Sequence, residues 1–107
     1  MNKSDFAEVY KMLDSVPFSR NKKNIHRDFS DAIMMAELIS HFNPKLVELH
    51  NYPPANALNK KIDNWNTLHL KTLKKIGISL TKQQIEDIAN SVPGAVEEVL
   101  YQVFVKF

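Results

Sequence analysis

The spacing of apolar residues along the chain predicts helices and no strands. Apolar side chains recur at every third or fourth position in successive segments, and no segment alternates apolar and polar residues convincingly over five positions. The clearest stripe lies near the end of the chain, where Val96, Val99 and Val103 fall on one helical face. We therefore predict an all-α fold of about five or six helices.

Capping residues and prolines predict where these helices begin and end. Asp5 and Asp28 are expected N-caps. Thr81 and Gln84 have the spacing of a capping box, and Asn56 can cap the helix that follows a proline-rich turn. The predicted helices cover residues 5–14, 28–42, 45–49, 57–76 and 81–91, with a last helix after Pro93-Gly94. The region 57–76 is either one bent helix or two helices, over 57–63 and 64–76, and it is predicted to end at Gly77.

Residues 17–27 are predicted to form a loop between the first two helices. Pro17 stops the first helix, and the residues that follow it are polar, basic and without apolar periodicity. Most connections between helices are shorter, and long ordered loops tend to carry function. We therefore expect functional residues in this loop.

The composition argues against catalysis. The chain has no cysteine, and its two glycines, Gly77 and Gly94, stand too far apart for a glycine-rich phosphate loop. Its four histidines lack the spacing of metal ligands, and neighbouring acids such as Glu97 and Glu98 are expected on a solvated helix face. We expect no enzyme activity, no cofactor, no metal and no small-molecule substrate. The apolar runs are also too short for a membrane span, so no membrane association is expected.

The distribution of charge is more informative than its total. The 107 residues carry a net charge of +2, yet residues 18–27 carry +4 and residues 59–82 carry +5, separated by acidic stretches. If the fold brings these blocks together, they form a cationic face for a polyanionic partner. Ordinary solvated helices also alternate in charge, so both interpretations stay open. Trp65 shares a stripe with Leu68 and is predicted to lie in the core.

The residues themselves are similar to the N-terminal calponin-homology domain of the sperm flagellar protein 1 family, whose members are also called calponin-homology and microtubule-associated proteins. The similarity covers nearly the whole chain. Its most specific parts are the segments Arg27–Asp31 and His50-Asn51-Tyr52. Further matching segments are residues 13–20, 22–25, 44–48, 54–56, 64–65, 88–89, 93–94, 96–97 and 99–100, with Lys61, Leu68, Lys71 and Leu73.

The resemblance implies a function and a binding surface. It implies that residues 1–107 form a single calponin-homology domain, a compact helical bundle. The implied function is that of the microtubule-binding (tubulin-binding) domain of a protein that bundles microtubules of the cytoskeleton in cilia and flagella, including the axoneme. The family continues into a C-terminal coiled coil beyond the last residue of this chain, through which dimerisation is possible. The family's basic microtubule contact corresponds to Arg20, Lys22, Lys23 and especially Arg27, and Lys61 and Lys71 also match family positions. Lys60, Lys74 and Lys75 are added to the predicted contact on charge alone.

Three positions depart from the family pattern, and two other functions stay open. The family often has tryptophan where Met12 stands, proline where Asn21 stands and glycine where Ala32 stands. An actin-binding calponin-homology domain is one alternative, although actin binders usually work as tandem pairs. A nucleic-acid-binding helical domain is the other, because charge alone does not distinguish phosphates from carboxylates.

Overall fold

Six α-helices and no strand make up the part of the chain that the structure describes. The structure is a computed structural model that describes residues 3–20 and 22–107, with side chains for residues 7–20 and 22–107. It confirms the predicted all-α fold. The helices are α1 (Lys3–Asp14), α2 (Ile25–Asp28), α3 (Ile33–Phe42), α4 (Leu58–Leu68), α5 (Lys82–Ala89) and α6 (Ala95–Lys106).

The core lies around α3, because apolar residues face inward on most sides of that helix. Met34, Met35 and Leu38 are fully buried, as are Phe29 before the helix and Trp65 on α4. Helix α1 packs against α6, and α5 packs against both α4 and α6. The prediction that Trp65 belongs to the core is confirmed.

The segment after the first loop folds differently from the prediction. We expected Asp28 to be the N-cap of a helix over residues 28–42, but Asp28 is the last residue of the one-turn helix α2. Asn24 caps α2 instead, since its side chain accepts hydrogen bonds from the backbone of His26 and Arg27. Ala32 then adopts a left-handed conformation (φ 70°) that breaks the chain direction, so α3 begins only at Ile33.

The region predicted as one bent helix or two separate ones is continuous but irregular. Helix α4 runs into a π-helical turn (His69–Leu73) and then a 3₁₀ turn (Lys74–Ile76). Gly77 ends it in the left-handed conformation, as predicted. The amide of Ile78 bonds the carbonyl of Leu73, and that of Gly77 bonds Lys74, which is the Schellman arrangement of a helix end.

Several boundaries differ from the prediction in smaller ways. Helix α1 begins at Lys3, so Asp5 lies inside it and is not its cap. In place of the single helix predicted over residues 45–49, the chain forms two separate 3₁₀ turns, Pro44–Leu46 and Leu49–Asn51. Asn56 caps nothing, because Ala57 takes the N-cap position of α4. The capping box of Thr81 and Gln84 is present at α5, which ends at Ala89 instead of Ser91.

The structure describes the surroundings of Met12 but not of Asn21, two of the positions that depart from the family pattern. Met12 is half-buried and packs against the core, whereas Asn21 lies outside the described residues. Among the described residues, no helix is both long and apolar enough to cross a membrane.

Candidate functional site

A cleft joins the two basic blocks of the sequence. Arg20 and Arg27 come from the first block and Lys61 from the second, and all three line one hollow of about 190 Å³. We call this hollow the arginine cleft. Its remaining lining residues are Asp28, Ser30, Asp31, Ala55 and Asn56. The fold therefore brings together part of the charge that the sequence separates.

Local hydrogen bonds fix the backbone that carries Arg27. The Asn24 side chain accepts from the amides of His26 (3.1 Å) and Arg27 (3.3 Å) at the start of α2. Asp28 Oδ2 accepts from the amides of Lys23 (2.7 Å) and Asn24 (3.0 Å), which closes the preceding loop. Such caps stabilise a helix that is too short to form alone. Arg27 thus stands on an ordered turn rather than on the loop that we predicted.

Two side chains of α4, Trp65 and Asn64, donate hydrogen bonds to the backbone of the segment that follows Arg27. Trp65 Nε1 donates to the carbonyls of Phe29 (3.2 Å) and Ser30 (3.0 Å). Asn64 Nδ2 donates to the carbonyls of Asp31 (3.0 Å) and Pro53 (2.9 Å). Buried backbone carbonyls need such partners because water cannot reach them. These bonds connect the segment after Arg27 to the helix that carries Lys61.

The two arginines of the cleft differ in how free their charges are. Arg20 Nη2 lies 3.4 Å from Asp31 Oδ2, and this carboxylate is almost fully buried. Arg27 is exposed, and among the side chains described from residue 7 onward its guanidinium has no carboxylate partner. An exposed guanidinium can bind a carboxylate by donating two parallel hydrogen bonds to it. Arg27 is therefore the residue of the cleft best suited to bind an external anion.

The basic surface continues beyond the arginine cleft through shared lining residues. Ala55 also lines a hollow of about 460 Å³ that includes Lys60. Asn51 belongs both to that hollow and to a third one of about 320 Å³, which contains Lys45, Lys71 and Lys75. We call this third hollow the lysine hollow, and the three together the basic face. Its cations are Arg20, Arg27, Lys45, Lys60, Lys61, Lys71 and Lys75.

Three of the predicted contact residues lie away from the basic face. Lys22 and Lys23 line a separate hollow with Tyr10, and Lys22 Nζ forms a 2.7 Å ion pair with Asp14. Lys74 approaches His69, and its charge contributes to a lowered pKa of that imidazole. Lys71 and Lys75 line the basic face, whereas Lys74 is not among its lining residues.

Sequence reasoning missed Lys45, which lies in the lysine hollow. It stands in the stretch between the two basic blocks, where acids outnumber bases. Its position is set by the 3₁₀ turn Pro44–Leu46, whose cap Asn43 accepts from the Lys45 amide. The signal in the sequence was the pair Asn43-Pro44, which favours the start of a helical turn at this point but does not show which hollow Lys45 lines.

Comparison with known proteins assigns the fold and the family. Residues 9–105 match a family model described as a CH-like domain in sperm protein. Proteins named sperm flagellar protein 1 are similar over 93 residues, or 87% of this chain: the Xenopus laevis protein at 47% identity, the Mus musculus protein at 46% and the Homo sapiens protein at 45%. The chain belongs to this family of CH-like domains. It spans about two fifths of the length of these relatives (39% to 41%).

This CH-like domain buries an acid that the sequence placed on a solvated face. Glu97 on α6 is only 7% exposed, and its Oε2 lies 2.8 Å from His26 Nε2 on α2. Glu97 Oε1 is buried without a hydrogen-bond partner among the described residues. Burial, and then the nearby Glu97 charge, raises the pKa of Tyr10 on α1. The expectation of a solvated Glu97 is wrong, because helix packing brings α2 over it.

The described residues hold no group of three or more histidines or acids arranged as metal ligands. Lysine and arginine side chains line the hollows of the basic face together with Asp28, Asp31 and Glu48. The cationic groups are hydrogen-bond donors only, so they are suited to binding anions.

Proposed function

We propose that this CH-like domain binds microtubules through its basic face, with the arginine cleft as the principal contact. The observation that supports this most strongly is the convergence of Arg20, Arg27 and Lys61 on one cleft. These residues come from two basic blocks that lie more than thirty positions apart in the sequence. The partner that such a face requires is an extended acidic surface, and the microtubule lattice is one.

The cleft contains both directional and non-directional cations. Arg27 offers a free planar guanidinium, which can bind a carboxylate with two parallel hydrogen bonds. Arg20 is held by Asp31, so it shapes the cleft and adds charge. Lys61 lines the same cleft from α4 and contributes a point charge. We infer that Arg27 carries most of the contact energy and that the lysines mainly accelerate association.

The location and the assembly are inferred from the relatives. Proteins named sperm flagellar protein 1 share 45% to 47% identity with this chain. We therefore infer that the domain acts on the microtubule cytoskeleton of cilia or flagella, including the axoneme. Bundling needs two binding sites or a dimer, and we assign it to regions of the longer relatives that this chain does not span.

Co-sedimentation with microtubules tests the proposal at a single residue. We expect Arg27→Glu to weaken binding at least about tenfold, because it replaces the free guanidinium with a repelling carboxylate. Helical content should be unchanged by circular dichroism, since the backbone of α2 is held by Asn24 and Asp28. The matched control is Lys82→Glu, which makes the same change of charge on an exposed residue of α5.

Three results would contradict the proposal. The first is unaltered pelleting of a folded Arg27→Glu variant. The second is an equal loss of binding for Lys82→Glu, which would reduce the contact to net charge. The third is pelleting of the wild type with actin filaments and not with microtubules, which would favour the actin-binding alternative.

A further inference from the structure

The lysine hollow is a second candidate binding site on the basic face. Its volume of about 320 Å³ exceeds that of the arginine cleft, and Lys45, Lys71 and Lys75 line it. The segment that includes Asn51 and Ala55 lies between the two sites. The role proposed for the arginine cleft therefore does not by itself explain the cluster of lysines at the lysine hollow.

Three irregular turns carry the three lysines, with Lys75 on the 3₁₀ turn Lys74–Ile76. Lys45 stands on the 3₁₀ turn Pro44–Leu46, and Lys71 stands on the π-helical turn His69–Leu73. The Thr72 hydroxyl donates to the Leu46 carbonyl at 2.9 Å, which ties one turn to the other. Turns of the π type are uncommon and often occur at functional sites. The positions of the lysines are therefore set by the ordered backbone of these turns as well as by side-chain conformation.

The hollow carries positive charge that the domain itself does not neutralise. Within the described side chains, none of the three ammonium groups has an ion-pair partner. The carboxylate that lines the hollow is Glu48, whose Oε2 lies 3.5 Å from His50 Nε2 and 3.4 Å from Asn51 Nδ2. Three uncompensated cations around one hollow repel each other, and a bound anion relieves that repulsion.

Among the described residues that line the hollow, the two buried hydroxyl groups, those of Thr72 and Tyr52, already take part in hydrogen bonds. Thr72 is buried with its hydroxyl bonded to Leu46. Tyr52 is also buried, and the desolvation raises the pKa of its phenol, with a smaller opposing effect from its hydrogen bond to Thr72. A ligand must therefore bind at the rim, through the ammonium groups.

The rim chemistry favours carboxylates spaced along a chain over a phosphate group. Phosphate sites usually combine a guanidinium fork or a helix N-terminus with backbone amides, and no arginine lines this hollow. Glu48 at the rim also repels a compact anion of high charge, whereas an extended peptide can pass it with its acids directed to the lysines.

We propose that the lysine hollow binds an extended, glutamate-rich peptide. The inference rests on the proposed function for the source of this peptide, which is the acidic tails of the tubulin subunits. The basic face then has two parts with different tasks. The arginine cleft binds the ordered lattice, and the lysine hollow binds a flexible acidic tail.

A direct binding measurement tests the site without microtubules. The probe is a fluorescein-labelled octaglutamate peptide, followed by anisotropy at low ionic strength. We expect Lys45→Gln/Lys71→Gln/Lys75→Gln to weaken binding at least about fivefold, because it removes all three rim cations. The control, Lys11→Gln/Lys82→Gln/Lys106→Gln, makes the same change in net charge at exposed lysines outside the basic face and should stay within about twofold of the wild type.

If both triple substitutions weaken peptide binding equally, the proposed site is wrong, because net charge would then explain the binding. Displacement of the peptide by pyrophosphate far more strongly than by sodium chloride of the same ionic strength would also overturn it, in favour of a phosphate site. Unfolding midpoints of the three proteins in urea check that each is folded.

A second measurement separates this inference from the proposed function. Co-sedimentation compares intact microtubules with microtubules whose acidic tails have been removed by limited proteolysis. We expect the wild type to bind the tail-less polymer more weakly and the lysine-hollow variant to bind both equally. If the wild type binds both polymers equally, the inference fails and the proposed function stands. If the wild type binds neither, the proposed function fails, and a positive peptide result would then concern the hollow alone.

Discussion

The basic side chains predicted to contact the microtubule divide according to whether a neighbouring carboxylate already pairs with their charge. Lys22 is paired with Asp14 and Arg20 with Asp31, whereas Arg27 and Lys75 have no such partner among the described side chains. A paired charge must lose its partner before it binds another anion, so it contributes less to an interface. The unpaired residues are therefore the informative ones to mutate.

Lys74 and Lys75 form a matched pair for such a test. They are adjacent and both exposed, yet Lys75 lines the lysine hollow and Lys74 approaches His69. We expect Lys75→Glu to weaken microtubule binding about threefold to tenfold and Lys74→Glu to weaken it less than twofold near physiological salt, where the screening length is about 8 Å.

Titration by co-sedimentation measures both variants of this pair. A larger loss of microtubule binding for Lys74→Glu than for Lys75→Glu would contradict the assignment of Lys75, and not Lys74, to the basic face. Both variants should weaken binding less than Arg27→Glu, because an ammonium group makes no bidentate contact.

The residues that sequence reasoning placed wrongly share one cause. Lys45 and Glu97 are positioned by contacts between elements far apart in the chain: Leu46 with Thr72, and His26 with Glu97. Local charge counts and helical spacing contain no information about such contacts. Trp65, by contrast, was predicted as core because its stripe is local.

At the scale of elements, two helix ends use the same hydrogen-bonding pattern with different residues. Gly77 ends the α4 region and Ser91 follows α5, both with positive φ (84° and 61°). The amide of Ser91 bonds the carbonyl of Ile88, and that of Val92 bonds Asp87. Glycine adopts this conformation readily, whereas a residue with a Cβ is strained in it.

We therefore expect Ser91→Gly to increase the free energy of unfolding by about 1 kcal/mol. Relief of the left-handed strain outweighs the larger entropy that glycine brings to the unfolded chain. Urea denaturation provides the measurement, and Ser91→Ala is the control, since alanine keeps the strain. A stability gain for alanine equal to that for glycine would show that the backbone conformation is not the cause.

A histidine joins the π-helical turn to the segment before α5. His69 Nε2 accepts a 3.0 Å hydrogen bond from the Leu80 amide, so the bond requires a neutral ring. Burial, and then the charge of Lys74, lowers the pKa of His69. The unfolded chain therefore binds a proton more readily than the folded one at this position, and this contribution to stability is lost as the pH falls below about 6.5.

The prediction concerns the difference between the wild type and His69→Gln, which keeps an acceptor oxygen but does not titrate. We expect the wild type to lose stability relative to this variant as the pH is lowered from about 7.5 to about 5. Urea denaturation at several pH values measures the difference. The other three histidines are common to both proteins. A difference that is constant or that grows in favour of the wild type at low pH would contradict the assignment.

Element prediction succeeded where the signals were local and failed where backbone irregularities intervened. The capping box of Thr81 and Gln84 and the stop at Gly77 were predicted correctly, because each depends on a few adjacent residues. The start of α3 was misplaced, because Asn24 and Ala32 impose an extra turn that apolar spacing does not reveal. Glycine would adopt the left-handed conformation of Ala32 without the strain that a Cβ causes.

At the scale of the whole molecule, the fold turns a nearly neutral chain into one with a cationic face. The net charge is +2, yet seven cations line three adjoining hollows. The sequence predicted the existence of two basic blocks. The fold brings only part of these blocks together on one face, and Lys22, Lys23 and Lys74 do not line it. Hydrogen bonds from Trp65 on α4 to Phe29 and Ser30, just after α2, join the two regions, and the order of charges in the sequence does not predict such bonds.

Co-sedimentation of the wild-type domain with microtubules and with actin filaments, across a series of salt concentrations, tests the central claim most directly. A cationic face that binds an acidic lattice should give strong pelleting with microtubules at low salt and progressive loss as the screening length falls from about 30 Å at 0.01 M to about 8 Å at 0.15 M. Pelleting with actin should stay low throughout. Binding to microtubules that does not change with salt, or binding to actin alone, would contradict the account.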